Sequence, residues 1–75
     1  MNLVVYGREK GRKNFEACDI RNGKLGVGLA LASLIPEEKK DLLVEFVQKL
    51  NAIVPDIEFE IRYAGTGKKV EEGTA

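Results

Sequence analysis

The chain has 75 residues, with 12 basic and 12 acidic side chains, and its formal net charge is zero. It contains no histidine and a single cysteine, Cys18. These counts exclude an intramolecular disulfide, and they remove histidine as a general base and as a zinc ligand. A chain of this length forms one small domain that buries only ~60% of its unfolded surface, and an oligomer contact is expected to add to its stability.

We expect a cytoplasmic protein without a cofactor, a metal or a catalytic residue. A lone thiol is typical of a reducing compartment. The amino terminus lacks the basic start of a signal peptide. No apolar run approaches the ~20 residues that a membrane span needs.

The first half of the chain is expected to form three strands. Residues 3–6 are β-branched and aromatic, residues 7–13 form a polar hairpin loop, and residues 14–20 form the second strand. Asn22-Gly23 is a strong hairpin-turn signal. It leads into a third predicted strand over residues 25–32.

In this third strand, large residues alternate with the smallest ones. The large residues are Leu25, Val27, Leu29 and Leu31, and the small ones are Gly26, Gly28, Ala30 and Ala32. Successive side chains of a strand point to opposite faces, so the large residues are expected to contact the helix. The bare face of small residues is a candidate interface for a second copy or another protein. Alternatively, the glycines lie beneath large neighbouring side chains or mark a β-bulge.

The second half predicts one helix and one strand. Pro36 is placed at the first helical position, and two glutamates follow it. One buried stripe is expected along the helix, formed by Leu42, Leu43, Phe46, Val47, Leu50 and Val54. Residues 51–56, which include Pro55, end the helix. Residues 57–63 alternate strictly between apolar and charged, which predicts a strand with one wet face.

The order β-β-β-α-β predicts an α+β fold, a four-stranded mixed sheet with one helix on one face. The domain is expected to cover residues 1–63, and the polar residues 64–75 are expected to be disordered. The last strand is predicted to run parallel to the first and third strands. A position beside the first strand, giving the order 3-2-1-4, is favoured over a position beside the third.

Residues 1–24 hold six basic and three acidic side chains, a net charge of +3. The basic residues are candidate contacts for nucleic acid: Arg8, Lys10, Arg12, Lys13, Arg21 and Lys24. No aromatic ladder interleaves with them, and the zero total charge argues against a dedicated nucleic-acid binder. The sequence therefore favours a non-enzymatic module that binds itself or another protein through the third strand. A weak nucleic-acid binder using the loop at residues 8–13 is the alternative.

Short segments of the chain also resemble a known group of proteins. These segments are Val5-Tyr6-Gly7-Arg8, residues 15–19, Gly23, the amphipathic helix and residues 58–62, and together they cover about residues 3–63. They are similar to small uncharacterised bacterial ββ(β)αβ proteins that are often encoded near prophage or conjugative-element genes. The resemblance implies a bacterial, cytoplasmic accessory protein and transfers no activity or site residue.

Overall fold

The computed structural model describes residues 1–71 and has the expected α+β architecture. Its strands are β1 (Asn2–Glu9), β2 (Glu16–Asp19), β3 (Lys24–Leu25), β4 (Ile35–Pro36) and β5 (Ile57–Tyr63). One α-helix, α1 (Lys40–Ile53), lies in the described chain and follows a 3₁₀ turn at Glu37–Lys39. A second 3₁₀ turn covers Leu29–Leu31. The strand predicted over residues 57–63 is confirmed at both of its ends.

The long strand β1 is the centre of the sheet. On one side it pairs with β5 from Leu3 opposite Tyr63 to Glu9 opposite Ile57. Its other side is shared by β2 and the short β4, and β3 lies outside β2. The last strand therefore lies beside the first, as predicted.

The predicted parallel direction of the last strand is wrong, because β5 runs antiparallel to β1. The reason is β4, which the sequence did not predict. β4 also runs antiparallel to β1, and this adds one reversal of the chain before the helix. All described strand pairs are antiparallel, so the sheet is not mixed.

The main core lies between the sheet and α1. Leu3, Val5 and Ile61 are fully buried on the sheet, and Leu43 and Val47 are buried on the helix. Burial of such side chains stabilises the fold by about 1.5–3 kcal/mol each. The predicted single buried stripe is only partly correct, because Leu42 and Phe46 are exposed.

The third predicted strand ends after two residues. Gly26 adopts φ +82°, a conformation that favours glycine. The N–H groups of Gly26 and Val27 both donate to the Ala17 carbonyl, as in a β-bulge. The expected continuous strand over residues 25–32 is therefore wrong, and the bulge alternative describes Gly26. Beyond the bulge, Leu29 and Leu31 lie in a 3₁₀ turn and are exposed, not anchored to the helix.

The chain after β5 folds back along this strand. Tyr63 donates its N–H to the Lys68 carbonyl and accepts from the Gly67 N–H. Lys69 pairs with Arg62, and the Val70 side chain is only 1% exposed in the main core. The predicted disorder therefore does not extend to residues 64–70, and the domain continues past residue 63. The part of that prediction that falls on residues 72–75 lies outside the described residues.

The same edge of β5 carries a second contact, from the helix. The side-chain amide of Asn51 accepts from the Phe59 N–H at 2.9 Å and donates to the Phe59 carbonyl at 3.2 Å. One side chain thus makes both bonds that a neighbouring strand would make. These bonds join the end of α1 to the start of β5.

Candidate docking surface

The face of the sheet opposite α1 holds a layer of arginine and aromatic side chains. The register places Val4 and Tyr6 on this face, opposite Arg62 and Glu60 of β5. The Arg62 guanidinium lies 4.6 Å from the centre of the Tyr6 ring. It also lies 5.2 Å from the centre of the Phe15 ring. The face that the alternation predicts as wet is therefore partly covered by stacked side chains.

Each arginine of this layer also has an acidic partner. Arg8 stacks on Phe15 at 4.4 Å and pairs with Glu58 at 3.3 Å. Arg62 pairs with Glu60. The positive charge of Arg8 is thus balanced within the domain, and its ring contact stabilises the hairpin loop. These contacts give Arg8 a structural role.

The six predicted nucleic-acid contacts divide between the two ends of β2. Arg8, Arg12 and Lys13 line a polar cleft of about 410 Å³ at the hairpin loop. Glu9 and Glu16 line the same cleft and reduce its positive charge. The backbone N–H of Lys10, in the same loop, donates to the Asp56 carbonyl. Arg21 and Lys24 lie at the other end, in and beside the turn between β2 and β3. The structure does not join the six residues into one patch, and binding of nucleic acid stays a prediction.

The four small residues of the predicted interface do not share one strand face. Gly26 lies at the bulge, with Glu16 3.0 Å from the place where a Cβ would stand. Gly28 is exposed with open space around it, and Ala30 lies in the 3₁₀ turn. Ala32 ends that turn and is half-buried. The continuous strand face on which this interface was predicted is therefore wrong, and binding of a partner at these residues stays a prediction.

The hairpin turn that follows β2 is organised by Asp19. Its carboxylate accepts from the backbone N–H groups of Arg21 and Asn22, from the Asn22 amide and from the Ser33 hydroxyl. These bonds hold the pKa of Asp19 below its usual range, and the bond from the Asn22 side chain makes the largest contribution. The arrangement fixes the turn and the buried Ser33 beside it.

The neighbouring thiol is poorly suited to chemistry. Cys18 is buried in the main core, and burial raises its pKa to about 11, with a further contribution from the charge of Glu16. A thiol in this state is protonated at neutral pH and is a weak nucleophile. Its position in the core is consistent with a packing role.

The largest exposed apolar side chains of the helix form a stripe on its outer flank. Leu42, Phe46 and Ile53 are 62%, 42% and 72% exposed, respectively. Residues at these spacings lie along one side of an α-helix. We call these three residues the outer stripe. On the inner side of α1, Leu43 and Val47 make the contact with the sheet.

The outer stripe continues into a groove between α1 and the β2 side of the sheet. Leu42 and Phe46 line an apolar depression of about 230 Å³ together with Ile20 and Ile35. Phe46 and Ile20 also line an adjoining cleft of about 160 Å³, which reaches Leu25 at its far end. The helix therefore covers only part of this sheet face, and apolar side chains line the gap.

Sequence reasoning missed this surface because it assigned six apolar residues, Leu42 and Phe46 among them, to one buried stripe and left Val44 and Ile53 unassigned. At 100° per residue, the apolar positions from Leu42 to Val44 span an arc of roughly 200°, whereas a surface helix needs an apolar stripe only about 100° wide. The excess width was the signal available in the sequence. It indicates that some of these side chains face something other than the sheet.

Within residues 1–71, no three or more acidic, histidine or cysteine side chains come together where a metal ion could bind. None of the helices described is long and apolar enough to cross a membrane. No family model, curated protein or solved structure matches the chain. The resemblance to small bacterial proteins therefore stays a prediction.

Proposed function

We propose that this chain is a small non-enzymatic interaction module that associates with a second copy of itself through the outer stripe of α1. The observation that carries the proposal is the exposure of Leu42, Phe46 and Ile53 on one flank of the helix, continuous with an apolar groove. Aromatic and large aliphatic side chains of this kind are typical of protein interfaces. The non-enzymatic part rests on the lack of histidine in the sequence and the buried state of its single thiol.

The expected association is weak and depends on concentration. Full burial of one large apolar side chain contributes about 1.5–3 kcal/mol, and the outer stripe is already partly buried. Association also costs an estimated 4–15 kcal/mol in lost freedom of motion. A dimer held by three such side chains from each copy is therefore expected to dissociate on dilution. The proposed location is the cytoplasm, where a single unpaired thiol is typical.

Sedimentation equilibrium over a wide concentration range tests the proposal. We expect a monomer–dimer equilibrium for the natural chain and a monomer for Phe46→Glu, which places a charge in the stripe. Circular dichroism of the variant checks that the fold is retained, as expected for a side chain that is 42% exposed.

Gly28→Lys is the matched control for a new charge on the surface. Gly28 has open space around it, so the lysine is expected to leave both the fold and the dimer unchanged. Loss of the dimer in Gly28→Lys alone would instead favour an interface at the small residues 26–32. A natural chain that stays monomeric at the highest concentration, or a dimer that survives Phe46→Glu, would refute the proposal.

A further inference from the structure

The outer stripe and the exposed Lys49 together occupy symmetrically spaced positions on the helix. These positions are 42, 46, 49 and 53, and they are separated by four, three and four residues. A helix that meets an antiparallel copy of itself across a two-fold axis pairs positions that are equally far from the axis. An axis between residues 47 and 48 pairs 42 with 53 and 46 with 49.

We infer that two copies of this chain dimerise by antiparallel packing of α1 against α1, with Leu42 against Ile53 and Phe46 against Lys49 of the second copy. This inference rests on the proposed function, since it specifies the geometry of the same interface. The second helix lies along the outer stripe and covers the adjoining groove at Ile20 and Ile35.

The chemistry of the central pair favours the antiparallel direction. The four-carbon stem of Lys49 in one copy covers the apolar surface of Phe46 in the second copy, and the ammonium group of this lysine lies at the same phenylalanine ring. Parallel packing would place Lys49 directly opposite Lys49, whereas the antiparallel pair offsets the two lysines by about 4.5 Å along the helix axes. Opposed helix dipoles also favour the antiparallel pair.

The flanking charges are complementary in the same arrangement. Glu45 of one copy comes within one residue of the position opposite Lys49 of the other. Lys39 lies just before α1, and Asp56 lies just after it. At each end of the helix pair, Lys39 of one copy is therefore near Asp56 of the other. These four side chains are exposed, and none of them is in an ion pair within residues 1–71. They are therefore available for contacts between the two copies.

Disulfide crosslinking of variants that each carry one added cysteine besides Cys18 measures the direction of packing. Leu42→Cys and Ile53→Cys are mixed and oxidised mildly, and tryptic peptides are analysed by mass spectrometry. Residue 42 lies in the tryptic peptide 41–49 and residue 53 in the peptide 50–62. Antiparallel packing predicts a disulfide that joins these two peptides in the mixed sample. It predicts little crosslinking within either variant alone, because equal positions lie about 16 Å apart along the helix axes, beyond the reach of a disulfide of about 7 Å.

A dominant link from residue 42 to residue 42, or a dimer without the 42–53 link, would overturn the antiparallel arrangement while leaving the proposed function intact. A chain that never dimerises in sedimentation would refute the proposed function first. The natural chain under the same oxidation is the control for Cys18, whose thiol is buried.

A second measurement tests the central pair. Lys49→Ala removes two symmetric Phe46–Lys49 contacts from each dimer, and we expect the dissociation constant to rise about tenfold. Lys68→Ala, which changes an exposed lysine on the turn after β5, is the control and is expected to leave the dissociation constant unchanged. An unchanged dissociation constant for Lys49→Ala would exclude this pairing of Phe46.

Discussion

Truncation of Val70 tests whether the residues after β5 belong to the core. The side chain is 1% exposed and packs in the main core beside Ile61, to whose carbonyl the Val70 N–H donates. Val70→Ala removes two methyl groups, each worth about 0.8 kcal/mol on transfer from water. With a term for the cavity left behind, we expect a loss of about 2–3 kcal/mol in the free energy of unfolding. A chain of 75 residues has a total stability of roughly 4–11 kcal/mol, so this loss is a large share of it.

Urea denaturation followed by circular dichroism measures the effect. We expect a lower midpoint with an unchanged dependence of the free energy on urea concentration, because the same fold unfolds. Val47→Ala, at a fully buried helix position, gives the reference for a core valine. Lys69→Ala, at the exposed neighbouring position, is expected to leave the midpoint unchanged. If Val70→Ala matched Lys69→Ala and not Val47→Ala, the placement of residues 64–70 against the core would be wrong.

Three further predictions concern single positions. The folded state raises the pKa of Cys18 to about 11, above the ~8.5 of a free thiol. The contribution of Cys18 to stability is therefore complete below about pH 8.5 and is lost as the pH rises towards 11. Unfolding measured from about pH 8 to 11 should show this loss in the natural chain and not in Cys18→Ala. Because hydrogen bonds lower the pKa of Asp19, its contribution to stability is present above the unfolded pKa of about 3.9 and is lost as the pH falls through the lower folded pKa. In Asp19→Asn, the free energy of unfolding should depend less on pH in this acid range. An unchanged pH dependence would contradict the role of Asp19 in the turn. Gly26→Ala should destabilise the fold by about 1 kcal/mol or more in thermal unfolding, since φ is +82°, whereas Gly28→Ala at an ordinary φ should be neutral or slightly stabilising; equal effects at the two glycines would contradict the bulge.

Periodic segments of the sequence predict their structure well. The strict alternation of residues 57–63 gives β5 with both ends correct, since burial of alternate side chains is the property that a pattern of period two records. Asn22-Gly23 gives the hairpin turn for a local reason, because Gly23 has to adopt φ +67°. These features depend on a few neighbouring residues, and a single sequence contains them.

Features that depend on contacts between distant segments are missed. The two residues of β4 are too few to show a period, yet they reverse the chain and decide the direction of β5. Val70 is a single apolar residue in a polar segment, and its burial depends on the turn that returns the chain to β5. The alternation of residues 25–32 misleads because Gly26 has no side chain to favour a strand over a bulge.

The docking surface is missed for a related reason. The sequence shows that the apolar arc of α1 is wide, but it does not show how much of that arc the sheet covers. β2 and β3 are short, and the helix packs mainly against β5. Leu42 and Phe46 therefore remain outside the contact. This outcome depends on strand lengths, which hydrophobic periodicity does not record.

The bonds along β5 limit the kind of assembly that this chain can form. The backbone groups of Phe59 and Tyr63 and the Ile61 carbonyl are already engaged, by Asn51 and by the returning residues 67–70. A strand from another chain cannot pair at these positions, and the edge strands on the other side of β1, β3 and β4, are each only two residues long. Sheet-to-sheet growth into fibres is thereby disfavoured at both ends. Association through a helix with two-fold symmetry closes after two copies, so the chain can display an apolar surface and still form a finite complex.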